Sequence, residues 1–88
     1  MLTAMSITYT QHALARMAER GISKMEVEGA LARPLRTVPA NRGRVESQGW
    51  IERAGKRQLL RVLTEGEVVV LVVTVMATSK FDKYGVQP

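Results

Sequence analysis

One histidine stands in this 88-residue chain, and two arginines follow it at helical spacing: His12, then Arg16, then Arg20 a further turn along. An imidazole takes or gives a proton near neutral pH. A guanidinium is a permanent cation whose fork matches phosphate oxygens. These are parts of metal-independent RNA cleavage, where the nucleophile is the substrate's own 2′-hydroxyl. The protein then has only to relay protons and to stabilise charge on the phosphorane. Arg61 is a further candidate to hold phosphate. Lys80 or Tyr84 completes the site if the C-terminal segment folds back over the first helix. Glu46 qualifies as a base only if its strand crosses the site.

Other chemistries find no residues to carry them. The chain has no cysteine, which removes thiolate nucleophiles, thiolate metal ligands and disulfides. A single histidine and unclustered carboxylates make no metal ligand set. No glycine-flanked serine follows a strand, and the glycines are not spaced to wrap a phosphate. No cofactor is implied.

The charge pattern points the same way. The net charge is +5, and Arg33 to Arg61 holds Arg33, Arg36, Arg42, Arg44, Arg53, Lys56, Arg57 and Arg61 against only Glu46 and Glu52. Such a run suits a polyanion, either nucleic acid or an acidic protein. Each candidate also has a plain structural use. His12 can bind water at a helix start. Arg16 and Arg20 can pair with Glu19 or face solvent, which contributes about 0–1 kcal/mol. Arg57 and Arg61 can lay their stems over an exposed sheet face. Trp50 and Tyr84 can stack on bases or pack in a core. The Thr78-Ser79-Lys80 turn can bind an anion or simply end a strand.

The elements that must position these residues are legible from spacing. Thr10 reads as an N-cap and Gly21 as a left-handed C-cap around a helix from Gln11 to Arg20. Ala13, Leu14, Met17 and Ala18 lie on one side of it, and His12, Arg16 and Glu19 on the other. Ser23 and Glu26 form a capping box for a second helix from Lys24 to Ala32, which Pro34 stops. Ile7 to Tyr9 is an extended lead-in. Leu35 to Val38 is extended and ends at Pro39. Val45 to Arg53 alternates weakly, with Glu46, Gln48, Trp50 and Glu52 on one face. Arg57 to Thr64 alternates clearly, with Arg57, Leu59, Arg61 and Leu63 facing away from Gln58, Leu60, Val62 and Thr64. Val68 to Met76 is a β-branched strand apolar on both faces, as in a central or doubly covered position. The order predicts one α+β domain over residues 1–88, with a core of about 7–84. It comprises two N-terminal helices followed by a three- or four-stranded antiparallel meander sheet. The longest apolar run, Val68 to Ala77, is about half of what a membrane-spanning helix needs. No basic segment precedes an apolar stretch at the start. The expectation is a cytoplasmic protein without a membrane partner.

The motif His12-Ala13-x-x-Arg16-Met17-x-x-Arg20-Gly21-Ile22-Ser23 continues with Val27-Glu28 and Arg33-Pro34. Further along come Lys56, Leu59-Leu60-Arg61-Val62, Val72-Val73-Thr74-Val75, Thr78-Ser79-Lys80 and Tyr84. This pattern resembles the small bacterial proteins grouped as domain of unknown function 4258, from Thr8 to Tyr84. That family looks distantly like the BrnT and RelE toxins, metal-independent ribonucleases of the barnase–colicin–RelE type. The resemblance implies a RelE/barnase-like fold, with helices before a curved antiparallel sheet. It also implies RNA as substrate and a cognate antitoxin as partner. Carried over by position, it supports His12, Arg16, Lys80 and Tyr84 as catalytic residues and Arg20, Arg61 and Thr78 as RNA contacts. Arg57 joins the RNA contacts from the sheet reading. The expected function is a small toxin-like endoribonuclease. The alternatives are a non-catalytic basic module that binds nucleic acid or an acidic partner, and a domain without enzymatic activity.

Overall fold

The computed structural model describes residues 6–80. Strand β1 (Ser6–Tyr9) comes first, followed by helices α1 (Gln11–Arg20) and α2 (Lys24–Ala32). Strand β2 (Arg36–Pro39), a 3₁₀ turn at Asn41–Gly43, and strands β3 (Val45–Arg53), β4 (Lys56–Glu65) and β5 (Val69–Thr78) complete the chain.

The caps form as their residues demand. The Thr10 side chain accepts the Ala13 N–H at 3.0 Å and donates to the Val73 carbonyl at 2.8 Å. Gly21 is left-handed (φ 64°), and the Ile22 N–H reaches the Met17 carbonyl at 2.9 Å. That is the six-to-one bond of a Schellman end, and it turns Ile22 into the core. At Ser23 the capping box closes reciprocally with Glu26, at 3.0 and 3.1 Å.

The α+β class holds, but the expected three- or four-stranded antiparallel meander is corrected. The sheet has five strands in the order β1-β5-β4-β3-β2, and it is mixed, because β1 runs parallel to β5. The lead-in at Ile7–Tyr9 is a sheet strand, with Ser6 opposite Val69 and Tyr9 opposite Val72. A four-residue strand has too little periodicity to announce itself. Its partner, moreover, lies at the far end of the sequence, and no local turn marks a parallel pairing.

Helix residues Ala13, Met17, Val27 and Ala30, with Ile22 between the helices, close over Ile51, Leu60, Val62, Val72 and Val75, and this is the core. Gly49 lets α2 approach β3, since a Cβ there would stand 3.1 Å from that of Ala30. On β5 the register slips between Leu63 opposite Thr74 and Thr64 opposite Val72. The bulge at Val73 brings both Val72 and Val75 to the helix side. It also turns out the carbonyl that Thr10 clasps, so α1 begins on the bulge.

Candidate functional site on the sheet face away from the helices

Alternation along β4 decides which side chains gather. Leu60 and Val62 enter the helix-side core, so Leu59, Arg61 and Leu63 point to the opposite face. Register fills in that face. Gln48 lies opposite Arg61, Trp50 opposite Leu59 and Glu46 opposite Leu63. Arg36 of β2 lies opposite Gln48, and Met76 and Thr78 of β5 lie opposite Arg61 and Leu59. One row across the sheet therefore reads Arg36, Gln48, Arg61, Met76.

At its centre Arg61 forks onto Glu46, with Nε to Oε2 at 2.8 Å and Nη2 to Oε1 at 2.7 Å. Gln48 Nε2 adds a third bond to Glu46 Oε2 at 2.6 Å. Arg61 Nη1 lies 3.6 Å from the Met76 sulfur. The pair is mostly withdrawn from water, at 18% and 12% side-chain exposure. Burial works to raise the Glu46 carboxyl above its usual range. Hydrogen bonds from Arg61 and Gln48, with the charges of Arg61 and Arg36, outweigh burial and hold it below. Beside the pair, the Arg57 guanidinium stacks 5.2 Å from the Trp50 ring centre. Where β5 ends, Thr78 Oγ1 accepts the Lys80 N–H at 3.0 Å.

The sequence-derived residues divide between two layers. Arg57, Arg61 and Thr78 share the sheet face away from the helices, and Lys80 follows Thr78 at its edge. His12, Arg16 and Arg20 lie on α1, whose Ala13 and Met17 pack against the other face. The sheet thus stands between His12 and Arg61. Arg16 makes a loose exposed pair with Glu19 at 3.7 Å, and His12 and Arg20 are exposed. Tyr84 lies outside the described residues.

Sequence reasoning passes over Gln48 and counts Arg36 only as one member of the basic run. The alternation of β3 does put Gln48 on the face of Glu46 and Trp50. What it lacks is the register that sets Gln48 opposite Arg61.

A separate groove of about 350 Å³ runs between α2 and β3, lined by Met25, Gly29, Arg33, Trp50 and Glu52 among others. Its one carboxylate from α2, Glu26, is already held by Arg53 at 2.6 and 2.8 Å. Chemically the sheet face around Arg61 is the better equipped of the two. Among the described residues no cluster of His, Cys, Asp or Glu could hold a metal, and no helix is long and apolar enough to cross a membrane.

A family model described as domain of unknown function (DUF4258) matches residues 9–81, from the last residue of β1 to just beyond β5. The chain belongs to the DUF4258 family. No curated protein and no solved structure matches it. Among the described residues this DUF4258 domain carries basic side chains both on α1, where Arg16 pairs loosely with Glu19, and on the sheet, where Arg61 grips Glu46 in a two-bond fork.

Proposed function

We propose that this DUF4258 domain is a metal-independent endoribonuclease whose reacting pair is Glu46 and Arg61, on the sheet face away from the helices. One observation carries the reading: a withdrawn carboxylate and a forked guanidinium are in contact on a face that also bears Arg36, Arg57 and Trp50. Trp50 and Arg57 suit a base and a neighbouring phosphate. Arg61 suits the phosphate at the scissile bond. While Arg61 grips Glu46, the carboxylate is a weak base. A phosphate that takes over the Arg61 fork strips Glu46 of two hydrogen bonds and makes it more basic. Glu46 then accepts the 2′-hydroxyl proton, and the 2′-oxygen bonds to phosphorus. The phosphorus–O5′ bond breaks, leaving a 2′,3′-cyclic phosphate. The departing 5′-oxygen takes a proton from an acid, for which Lys80 beside Thr78 and Tyr84 are the nominated groups. His12 is not needed for the step in this arrangement.

The test is cleavage of an end-labelled RNA in EDTA by the wild type, Glu46→Gln and Arg61→Lys. Cyclic-phosphate products are expected from the wild type, with losses of about 10²–10⁴-fold in Glu46→Gln. Arg61→Lys keeps the charge and loses the fork, so it should fall markedly too. Intact RNA with the wild type, or undiminished cleavage by Glu46→Gln, refutes the reading. The closure of the Glu46–Arg61 pair also favours a second reading, a basic module that binds nucleic acid without cutting it. In that case RNA is retained but recovered whole. The toxin-like role, with its antitoxin and its kinship to the BrnT and RelE ribonucleases, is supported if expression slows bacterial growth and Glu46→Gln relieves it.

A further inference from the structure

Gln48 is 2% exposed, and its Oε1 is buried with no hydrogen-bond partner. The orientation of the amide is not arbitrary. Its Nε2 donates to Glu46 Oε2 at 2.6 Å, and a flipped amide would press oxygen against a carboxylate oxygen. Oε1 is therefore an acceptor that the protein keeps at a cost and does not satisfy itself. The same face accommodates fully buried Leu59, so an apolar residue would fit this environment. Gln48 lies directly opposite Arg61 in the ladder, which sets their Cβ atoms about 5 Å apart. On a ribonucleotide the 2′-hydroxyl and the 3′-phosphate hang on adjacent ring carbons. A 3′-phosphate on the Arg61 fork therefore brings a 2′-hydroxyl within reach of Gln48 and of Glu46 next to it.

We propose that Gln48 Oε1 accepts the 2′-hydroxyl hydrogen of a ribonucleotide whose 3′-phosphate lies on Arg61, so that Gln48 is the residue that selects ribose over deoxyribose. The inference rests on the sheet-face reading above. In the cleavage reaction Gln48 is a positioning residue. It holds the 2′-oxygen beside Glu46, and the proton passes to Glu46 and not to the amide.

The probes are ribonucleoside 3′-monophosphates and their 2′-deoxy counterparts, which bind without being cleaved. Their titration is followed by NMR on wild type, Gln48→Met and Gln48→Asn. Met keeps length and burial without the amide; Asn keeps the amide but withdraws it by one methylene. Asn carries the test if the Met variant does not fold. The wild type should prefer the ribose forms by about 5–10-fold, one hydrogen bond's worth. Both variants should lose that preference while still binding the deoxy forms. Equal binding of both sugars by the wild type overturns the inference and leaves the sheet-face reading standing. So does a ribose preference that survives in both variants, or a preference that follows the amino groups of adenine, cytosine and guanine over uracil whatever the sugar. If no nucleotide perturbs this sheet face at all, the sheet-face reading fails and this inference falls with it.

Discussion

Glu46 and Arg61 are a matched pair, and each is a liability alone. Two hydrogen bonds join them at 12–18% side-chain exposure, and Gln48 adds a third to the carboxylate. Removing the cation strands a withdrawn anion, which costs about 3 kcal/mol. We expect Arg61→Met to destabilise the fold by about that amount at pH 7, and Arg61→Met with Glu46→Leu to recover most of it. Urea unfolding of the single and double variants checks this. The pH dependence has a definite sign. The folded-state pKa of Glu46 lies below its usual value, so its contribution is present above that value and is lost as pH falls through the folded-state pKa. In Arg61→Met burial acts on Glu46 against only the Gln48 hydrogen bond and the Arg36 charge. The gap between variant and wild type should therefore narrow on acidification. A gap that stays constant down to about pH 3, below the ordinary carboxylate range, would show that the pair is not what the variant removes.

At the scale of elements, Arg53 ties three of them together. From the end of β3 its Nη2 reaches the Gly21 carbonyl at 2.6 Å, and both Nη atoms grip the Glu26 carboxylate of the α2 capping box. Arg53's hydrogen bonds draw the Glu26 carboxyl down to about 2, against burial and with help from Ser23. That stability is present above about 4.5 and drains away as pH falls towards about 2. After solvent screening it amounts to about 1–2 kcal/mol. Arg53→Met should lower the melting temperature at pH 7 and flatten the dependence between those pH values. The β3–β4 hairpin carries an opposite opportunity. Its turn residues Ala54 and Gly55 have φ of 52° and 76°, the paired positive values of a primed turn. Alanine is strained there by about 1–2 kcal/mol. Ala54→Asn should therefore stabilise the protein by about 0.5–1 kcal/mol, measured by denaturant midpoint at unchanged slope.

At the scale of the molecule, the sheet separates the basic side chains of α1 from those of β2 and β4 among the described residues, and the proposed activity belongs to the second set. Replacing Arg16 and Arg20 by Gln should change RNA affinity little. Replacing Arg36 and Arg57 by Gln should weaken binding and make it less sensitive to salt. The slope of log affinity against log salt should fall by about one for each phosphate that no longer meets a cation, as read by filter binding. If the α1 variants bind RNA poorly instead, RNA lies on the helices and the sheet assignment is wrong. Much of this molecule is legible in its sequence. Thr10, Gly21, Ser23, Glu26 and Pro34 bound the helices through interactions within a few residues, and the alternation of β4 separates Arg61 from Leu60 and Val62 without reference to any partner. The family is legible as well, since a DUF4258 model matches residues 9–81. Three things are settled only in three dimensions: the parallel docking of β1 on β5, the register that sets Gln48 against Arg61 and Glu46 within its reach, and the separation of His12 from them by the sheet. The physical reason is one of range. Caps, turns and side-chain alternation are determined by neighbours in sequence, whereas strand pairing and the choice of layer follow from burying the whole apolar surface at once.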